Sequence, residues 1–460
     1  MTVASLPSEK TRRLAPQPAP VAVLSWASIV RLGLVQTALG AIIVLMTSTI
    51  NRVMVVELAL PAFIPGLLVA SHYAVQILRP AWGYGSDVGG RRTPWIVGGM
   101  AVLALGGFGA ALGTALAATS MIGGLALAAL SFILVGLGAG AAGTSVLATL
   151  ASRVAPNRRA AAATTVWVMM IFGFALTAPL AGHFLDPFSN ERLVWVTFAV
   201  CAIAFLVAVL AVVGIERGPA NEGQAARAKP PFKQAFGQVW AEPAARRFTI
   251  FIFVSMLAYS AQELLVEPFG GLVFGMTPGV TTKLAGMQHA GVLVGMLSVA
   301  FAASAIGGPI LGSLRHWTVI GCLASALSLI AVAASGYAAE PNVLRAAVFA
   351  LGLSNGAFAV AAIGSMMGLA GSGANAREGT RMGLWGAAQA VAFGLGGLTG
   401  TLLVSLASRF AASPLAAYAG VFAAEAMLFV ASAALAWRIG RALPLAKRRM
   451  AIGADTRLAA

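Results

Sequence analysis

Twelve apolar stretches, most of about twenty residues or more, set what this chain can fold into. They fall near 31–51, 60–81, 94–117, 121–149, 160–182, 193–214, 248–268, 284–311, 317–337, 343–368, 382–406 and 415–437. The hydrocarbon core of a bilayer takes about 20 helical residues to cross. Inside it each backbone N–H and C=O must be paired within the protein, which selects helices. Charged residues make up only 10% of the 460 positions and apolar residues 59%. That leaves too little polar surface to cover a water-soluble core of this size. The expected fold is an all-α membrane protein with twelve transmembrane helices.

The formal net charge of +16 would suggest nucleic acid in a soluble chain. Here the cations collect on one membrane face, so no nucleic-acid partner is expected. All of the 30 Lys and Arg residues except Arg52, Arg192, Lys283, Arg345 and Arg409 fall on the side of the chain termini. The positive-inside rule then puts both termini in the cytoplasm, and the expected location is a bacterial cytoplasmic membrane, inner or intracytoplasmic. The longest hydrophilic break, 215–247, separates two six-helix bundles, 31–214 and 248–437. Residues 1–30 read as a disordered, Pro-rich cytoplasmic tail and 438–460 as a basic cytoplasmic tail. Within the linker, Phe232, Phe236, Val239 and Trp240 recur at helical spacing, as in a helix lying on the membrane surface. The two cysteines, Cys201 and Cys322, lie inside apolar runs and read as packed small hydrophobes.

One loop interrupts the grease: "RPAWGYGSDVGGRRTPW", residues 79–95. Its glycines permit a tight turn. Asp87 can accept hydrogen bonds from Arg91 or Arg92, or cap a helix N-terminus. The spacing Gly83, Asp87, Gly90, Arg91, Arg92 resembles the signature loop between the second and third helices of the major facilitator superfamily, with Val88 where a basic residue is usual. The resemblance implies two six-helix halves, and a conformational latch in which the acid engages the start of helix 11, near Arg381. The second half carries only a degenerate copy, "GSLRHW", with Gly312 and Arg315 but no acid.

A wider stretch, "NRVMVVELALPAFIPGLLVASHYAVQILRPAWGYGSDVGGRRTPWI" (51–96), is similar to the PucC/LhaA group of that superfamily, proteins of bacteriochlorophyll delivery and light-harvesting assembly in phototrophic bacteria. The short gap in "SDVGGRR" looks more like the branch once called the bacteriochlorophyll synthase 44.5 kDa chain. The resemblance implies bacteriochlorophyll or a precursor as cargo, with no covalent cofactor. It also implies antenna or reaction-centre apoproteins and pigment-synthesis enzymes as partners, besides the lipid bilayer.

The helix interiors bear on the same question. Helix 4 carries no charge, amide or histidine, and the expected central cavity is poor in groups for a hydrated solute. Glycine runs such as "GLGAGAAG" in helix 4 and "GLGGLTG" in helix 11 suit close helix packing, or a flat apolar groove for a ring or a phytyl tail. A magnesium tetrapyrrole takes an axial ligand, commonly a neutral imidazole. His72, with Tyr73 and Gln76 beside it in helix 2, is the first candidate, set against a plain interhelical hydrogen bond. His289, expected near the outer end of helix 8, is the second. Buried acids mark sites by their cost. Glu263 and Glu267 in helix 7 read either as a proton-coupled gate or as an outer-surface acidic pair. Glu425 in helix 12 is protonated, paired across helices, or part of a partner or lipid-side contact. Arg52 and Glu57 read as a surface ion pair shaping the first outer loop. No Walker motif, nucleophile elbow, HExxH or CxxC is present, so no enzymatic activity is expected and no metal is bound directly by the protein. The function expected is bacteriochlorophyll handling and assembly of photosynthetic complexes; the alternative is a proton-coupled secondary transporter of a small or amphipathic solute.

Overall fold

The computed structural model describes residues 24–79, 82, 91–155, 158–216, 240–302, 313–370 and 378–458. Among these residues twelve helices follow in order: α1 (Trp26–Glu57), α2 (Phe63–Leu78), α3 (Thr93–Ala117), α4 (Met121–Arg153), α5 (Arg159–Phe184) and α6 (Asn190–Val212); then α7 (Pro243–Glu263, resuming as Val266–Phe274), α8 (Pro278–Ala302), α9 (Leu314–Ala338), α10 (Pro341–Ala370), α11 (Glu378–Ala407) and α12 (Pro414–Leu458). Eleven are long and apolar enough to cross a membrane, and α2 is the shorter twelfth. We call the end where α1 begins proximal and the other end distal.

Several bounds differ from the sequence expectation. α1 does not stop near residue 51. It continues through two π-helical stretches, Leu45–Ile50 and Val53–Glu57, because Asn51 and Arg52, polar enough to read as loop, are buried at 1% and 2% exposure and find partners in the other half. α8 starts at Pro278 rather than 284, which moves His289 to mid-helix. α12 continues as helix to Leu458, through the stretch expected to be a tail.

Apolar side chains collect in two principal cores. One is built on α1 to α6, around Ile29, Leu32, Met100, Phe132 and Val166, and the other on α7 to α12, around Phe251, Phe269, Leu329, Phe358 and Phe422. Helices within each set pack at backbone distance. A Cβ on Gly99, Gly106 or Gly113 of α3 would lie within 3 Å of backbone atoms of α4. The helix-4 glycines divide among four neighbours: Gly136 against His72 of α2, Gly138 against α3, Gly140 against the Trp82 indole, and Gly143 toward Leu39 of α1. Small residues thus serve packing here, where apolar lipid gives helices no hydrophobic reason to associate. α8 and α10 also pack main chain to main chain. Gly291 and Gly295 on one, and Gly352 and Gly356 on the other, each face a backbone carbonyl of the partner.

The two sets meet along α5 against α8 and α2 against α11. Pro179 abuts Gly286, Gly182 abuts Gly279, and Gly66 abuts Thr401.

Candidate functional site

The loop carrying Gly83, Asp87 and Gly90 lies outside the described residues, as does the side chain of Arg381. The latch contact with α11 is therefore not among the contacts described. What is described is how the loop's basic end is held. Arg92 Nη1 donates to the Ala148 carbonyl near the C-terminus of α4 at 2.8 Å, where a cation complements the helix dipole; Arg91 is exposed at the start of α3. The capping role that Asp87 was a candidate for falls, at α3, to Glu216, just beyond α6. Its carboxylate accepts the Thr93 N–H at 2.9 Å and the Arg92 N–H at 3.0 Å. Burial works against the Glu216 charge, but these N–H groups and nearby Arg153 outweigh it, so the carboxyl sits below its ordinary 4.5. Such a group stabilises the fold at neutral pH, and the contribution fades as pH falls below 4.5 through the folded value. Glu216→Ala should cost about 1 kcal/mol, the usual worth of an N-cap. Thermal unfolding in detergent should show the gap from the parent at pH 7 and its narrowing in acid.

In the second set the equivalent place is filled without an acid. Arg315, from the degenerate motif, stacks on the Trp437 ring of α12 at 4.0 Å and donates to the Trp437 carbonyl at 3.1 Å. Gly312 lies outside the described residues.

A polar knot ties the two sets at the distal end. Thr49 and Thr282 hydroxyls meet at 2.9 Å. Asn51 Nδ2 donates at 2.8 Å to the Leu264 carbonyl, which lies where α7 breaks between Glu263 and Val266. Gly275, at φ 65°, turns the chain back after α7 and brings the Met276 carbonyl to the Arg52 guanidinium, which also pairs with Glu57. The Phe63 N–H reaches Ser405 Oγ, and Asp186 takes both Thr277 and Lys283. The expected Arg52–Glu57 pair is present, but its surface character is corrected: Arg52 is 2% exposed, with one Nη on Glu57 and the other on the Met276 carbonyl. Glu267, at 2% exposure, lies beside Arg52, Ser48 and Thr281, which removes the outer-surface reading for it. A broken helix whose freed carbonyl is taken up by another segment is how membrane proteins tolerate irregular backbone at depth.

At mid-depth the seam is aromatic. Tyr73 of α2 packs on Phe393 of α11 at 5.5 Å, and Tyr259 of α7 joins Phe393 at 5.7 Å and Phe358 at 6.3 Å. Glu263 lies one turn beyond Tyr259 on α7 and is partly buried. Between α5 and α8, His289 meets Phe174 edge-on at 4.8 Å, above an apolar cluster of Ile171, Val292 and Met296.

The four pigment candidates separate in space. Tyr73 and His289 are on the seam. His72 is buried: its backbone is against Gly136 of α4, and its Nε2 is 2.9 Å from the Gln76 amide nitrogen. His289 is not at the water-accessible outer end expected for it. It is 7% exposed, and its Nδ1 lies 2.9 Å from the Ala285 carbonyl. A carbonyl only accepts, so Nδ1 carries the proton and Nε2 keeps its lone pair. That is the second-shell arrangement of metal-ligating histidines. Glu425 is likewise not on the lipid side. A Cβ on Gly400 of α11 would be 3.3 Å from its Oε1 and 3.0 Å from the Ala261 Cβ of α7, so the carboxyl is wedged between α11 and α7. An apolar cavity lies between α3 and α4. It has a volume of about 450 Å³, Gly98, Gly99 and Gly138 among its lining residues, and the Trp82 and Trp95 indoles on it. Among the described residues no three His, Cys, Asp or Glu side chains cluster as a metal site.

Comparison with known proteins places this geometry. "Bacteriochlorophyll synthase 44.5 kDa chain" of Rhodobacter capsulatus is 53% identical over 416 residues, covering 90% of this chain and 95% of that one. "Protein PucC" of Rhodobacter capsulatus is 31% identical over 452 residues, covering 91% and 92%. Among solved structures, the nucleoside transporter NupG superposes with a TM-score of 0.64 at 12% identity over 90% of this chain and 98% of that one. A structure titled for substrate recognition in proton-dependent oligopeptide transporters gives 0.65 at 16% identity over 92% and 99%. These show the major-facilitator fold. The family described as PUCC protein matches residues 49–443, and the chain belongs to it.

Proposed function

We propose that this protein handles bacteriochlorophyll or a precursor in the cytoplasmic membrane, with both termini in the cytoplasm, and passes it to antenna or reaction-centre apoproteins without itself catalysing a reaction. The observation that carries the reading is the mid-depth seam, built from Tyr73, Phe393, Tyr259, Phe358 and Phe174. One imidazole, His289, stands edge-on to Phe174, with its tautomer set by the Ala285 carbonyl. The names carried by the relatives support it. The seam is tied by hydrogen bonds at the distal end and packed with apolar side chains deeper in. It is therefore suited to part from the proximal side and admit a flat, lipid-soluble ring. There the imidazole Nε2 supplies the axial contact to the cargo's magnesium, and the aromatic rings exclude water.

His289 replaces His72 as the ligand of this reading, because the His72 Nε2 lone pair is taken by the Gln76 amide nitrogen at 2.9 Å. His289→Leu, purified gently from a pigment-producing host, should lose most of the bound-pigment absorbance, while His72→Leu keeps it. Equal pigment in His289→Leu and the parent, or none in the parent, overturns the reading. One observation favours a second reading, proton-coupled movement of an amphipathic solute: Glu267 is a buried acid beside Arg52, where the two sets join. Uptake into proteoliposomes that depends on a proton gradient and fails in Glu267→Gln would move the assignment to it.

A further inference from the structure

A pocket of about 350 Å³ opens at the distal end, lined by Met276, Val280, Lys283, Leu284, Met287 and Arg345. Among the described residues, five Lys or Arg residues belong to the distal loops and helix ends, Arg52, Arg192, Lys283, Arg345 and Arg409, and two of them line this pocket. Of the others, Arg52 is buried and engaged, and Arg192 donates to the Asp186 carbonyl at 2.8 Å. Both cationic heads stay at the rim: Lys283 is 40% exposed and pairs with Asp186 at 3.3 Å, and Arg345 is exposed and donates to Asn342 Oδ1 at 2.9 Å. The remaining walls are apolar, and two are methionines, which adapt to chains of irregular shape.

We propose that this pocket is a binding site for an anionic membrane phospholipid. The phosphate lies between Lys283 and Arg345, and the first acyl carbons lie against Met276, Val280, Leu284 and Met287. Two cations give the headgroup charge-assisted hydrogen bonds. A free phosphate would gain the same two cations but leave the apolar walls bare, and a zwitterionic lipid would bring its own cation against them. The site also touches the joint between the two sets. Lys283 already holds Asp186 across the seam at 3.3 Å, and the Met276 carbonyl holds Arg52. A phosphate that shares Lys283 weakens the Asp186 pair, so occupancy by lipid biases the distal end toward opening.

The test uses the full chain in nanodiscs of phosphatidylcholine with a minor fraction of phosphatidylglycerol, read by native mass spectrometry. The parent should retain one phosphatidylglycerol. Arg345→Ala, which leaves the Lys283–Asp186 pair intact, should weaken retention roughly tenfold, the effect of one charge-assisted hydrogen bond. Met287→Glu should do the same by placing an acid on the rim. Arg409→Ala, on the same face but outside the pocket, should leave retention unchanged. Parent-like retention in Arg345→Ala, or an equal loss in Arg409→Ala, overturns the site. So does inorganic phosphate raising the unfolding midpoint as far as the lipid does.

Discussion

Arg52→Ala should be the most damaging truncation at the seam. The side chain is 2% exposed, bonds to Glu57 in its own helix and to the Met276 carbonyl of the other set, and lies beside the buried Glu267. Removing it leaves Glu267 buried without its nearest cation and the Met276 carbonyl without a donor. Breaking a buried ion pair typically costs 3–5 kcal/mol, and the half-exposed Glu57 moves the expectation to the low end, about 3 kcal/mol. Lysine should rescue only part of this, because one ammonium cannot hold two partners in a planar fork. Glu57→Gln should cost well under half as much, since water reaches that carboxylate. Unfolding midpoints in detergent, measured for all three variants at one pH, check the order. A midpoint for Arg52→Ala within error of the parent would mean that the knot does not hold the halves.

The second large effect belongs to Gly352→Leu. A Cβ there meets the Gln288 backbone carbonyl; Gly356 on the same helix meets the Val292 carbonyl, and Gly291 and Gly295 on α8 meet the Phe349 and Leu353 carbonyls. The obstruction is backbone, so no side chain can swing away, and α8 and α10 must separate. Overpacking of this kind costs about 1–3 kcal/mol, occasionally more. Here lost contact along both helices puts it at the upper end. Gly420→Ala is the contrast: nothing lies within 4 Å of its Cβ, and an alanine gains about 0.5–1 kcal/mol of helix preference. Expression and thermal stability of the two variants should move in opposite directions.

Most of the fold was legible because hydrophobic length alone marks a span. Polarity misled at the places where polar residues are buried with partners. Asn51 and Arg52 read as loop since a single strand of sequence does not show Leu264 and Met276 waiting in the other half. Asp87 drew attention as a cap through its motif, whereas Glu216, which caps α3, sits in a hydrophilic stretch with no local pattern to single it out. His72 and His289 could not be ranked from spacing. Which face a mid-helix histidine presents depends on neighbours such as Gly136 and Phe174, set by packing across helices. The α8 and α10 glycines were readable: each helix carries a Gly-x-x-x-Gly, at 291 and 295 and at 352 and 356, the pattern of close helix contact. The longer glycine runs of α4 and α11 drew the eye instead.

The carbonyl-to-glycine contact of α8 with α10 reaches beyond its own stability. Two rods that touch through main chain have no springy layer between them, so neither slides without the other. α8 also faces α5, so whatever pries that seam apart must shoulder both rods at once. Under the proposed function the moving wall would be a stiff panel, hung from the knot around Arg52, and a covalent tether along α10 would jam it as surely as one placed in the doorway itself.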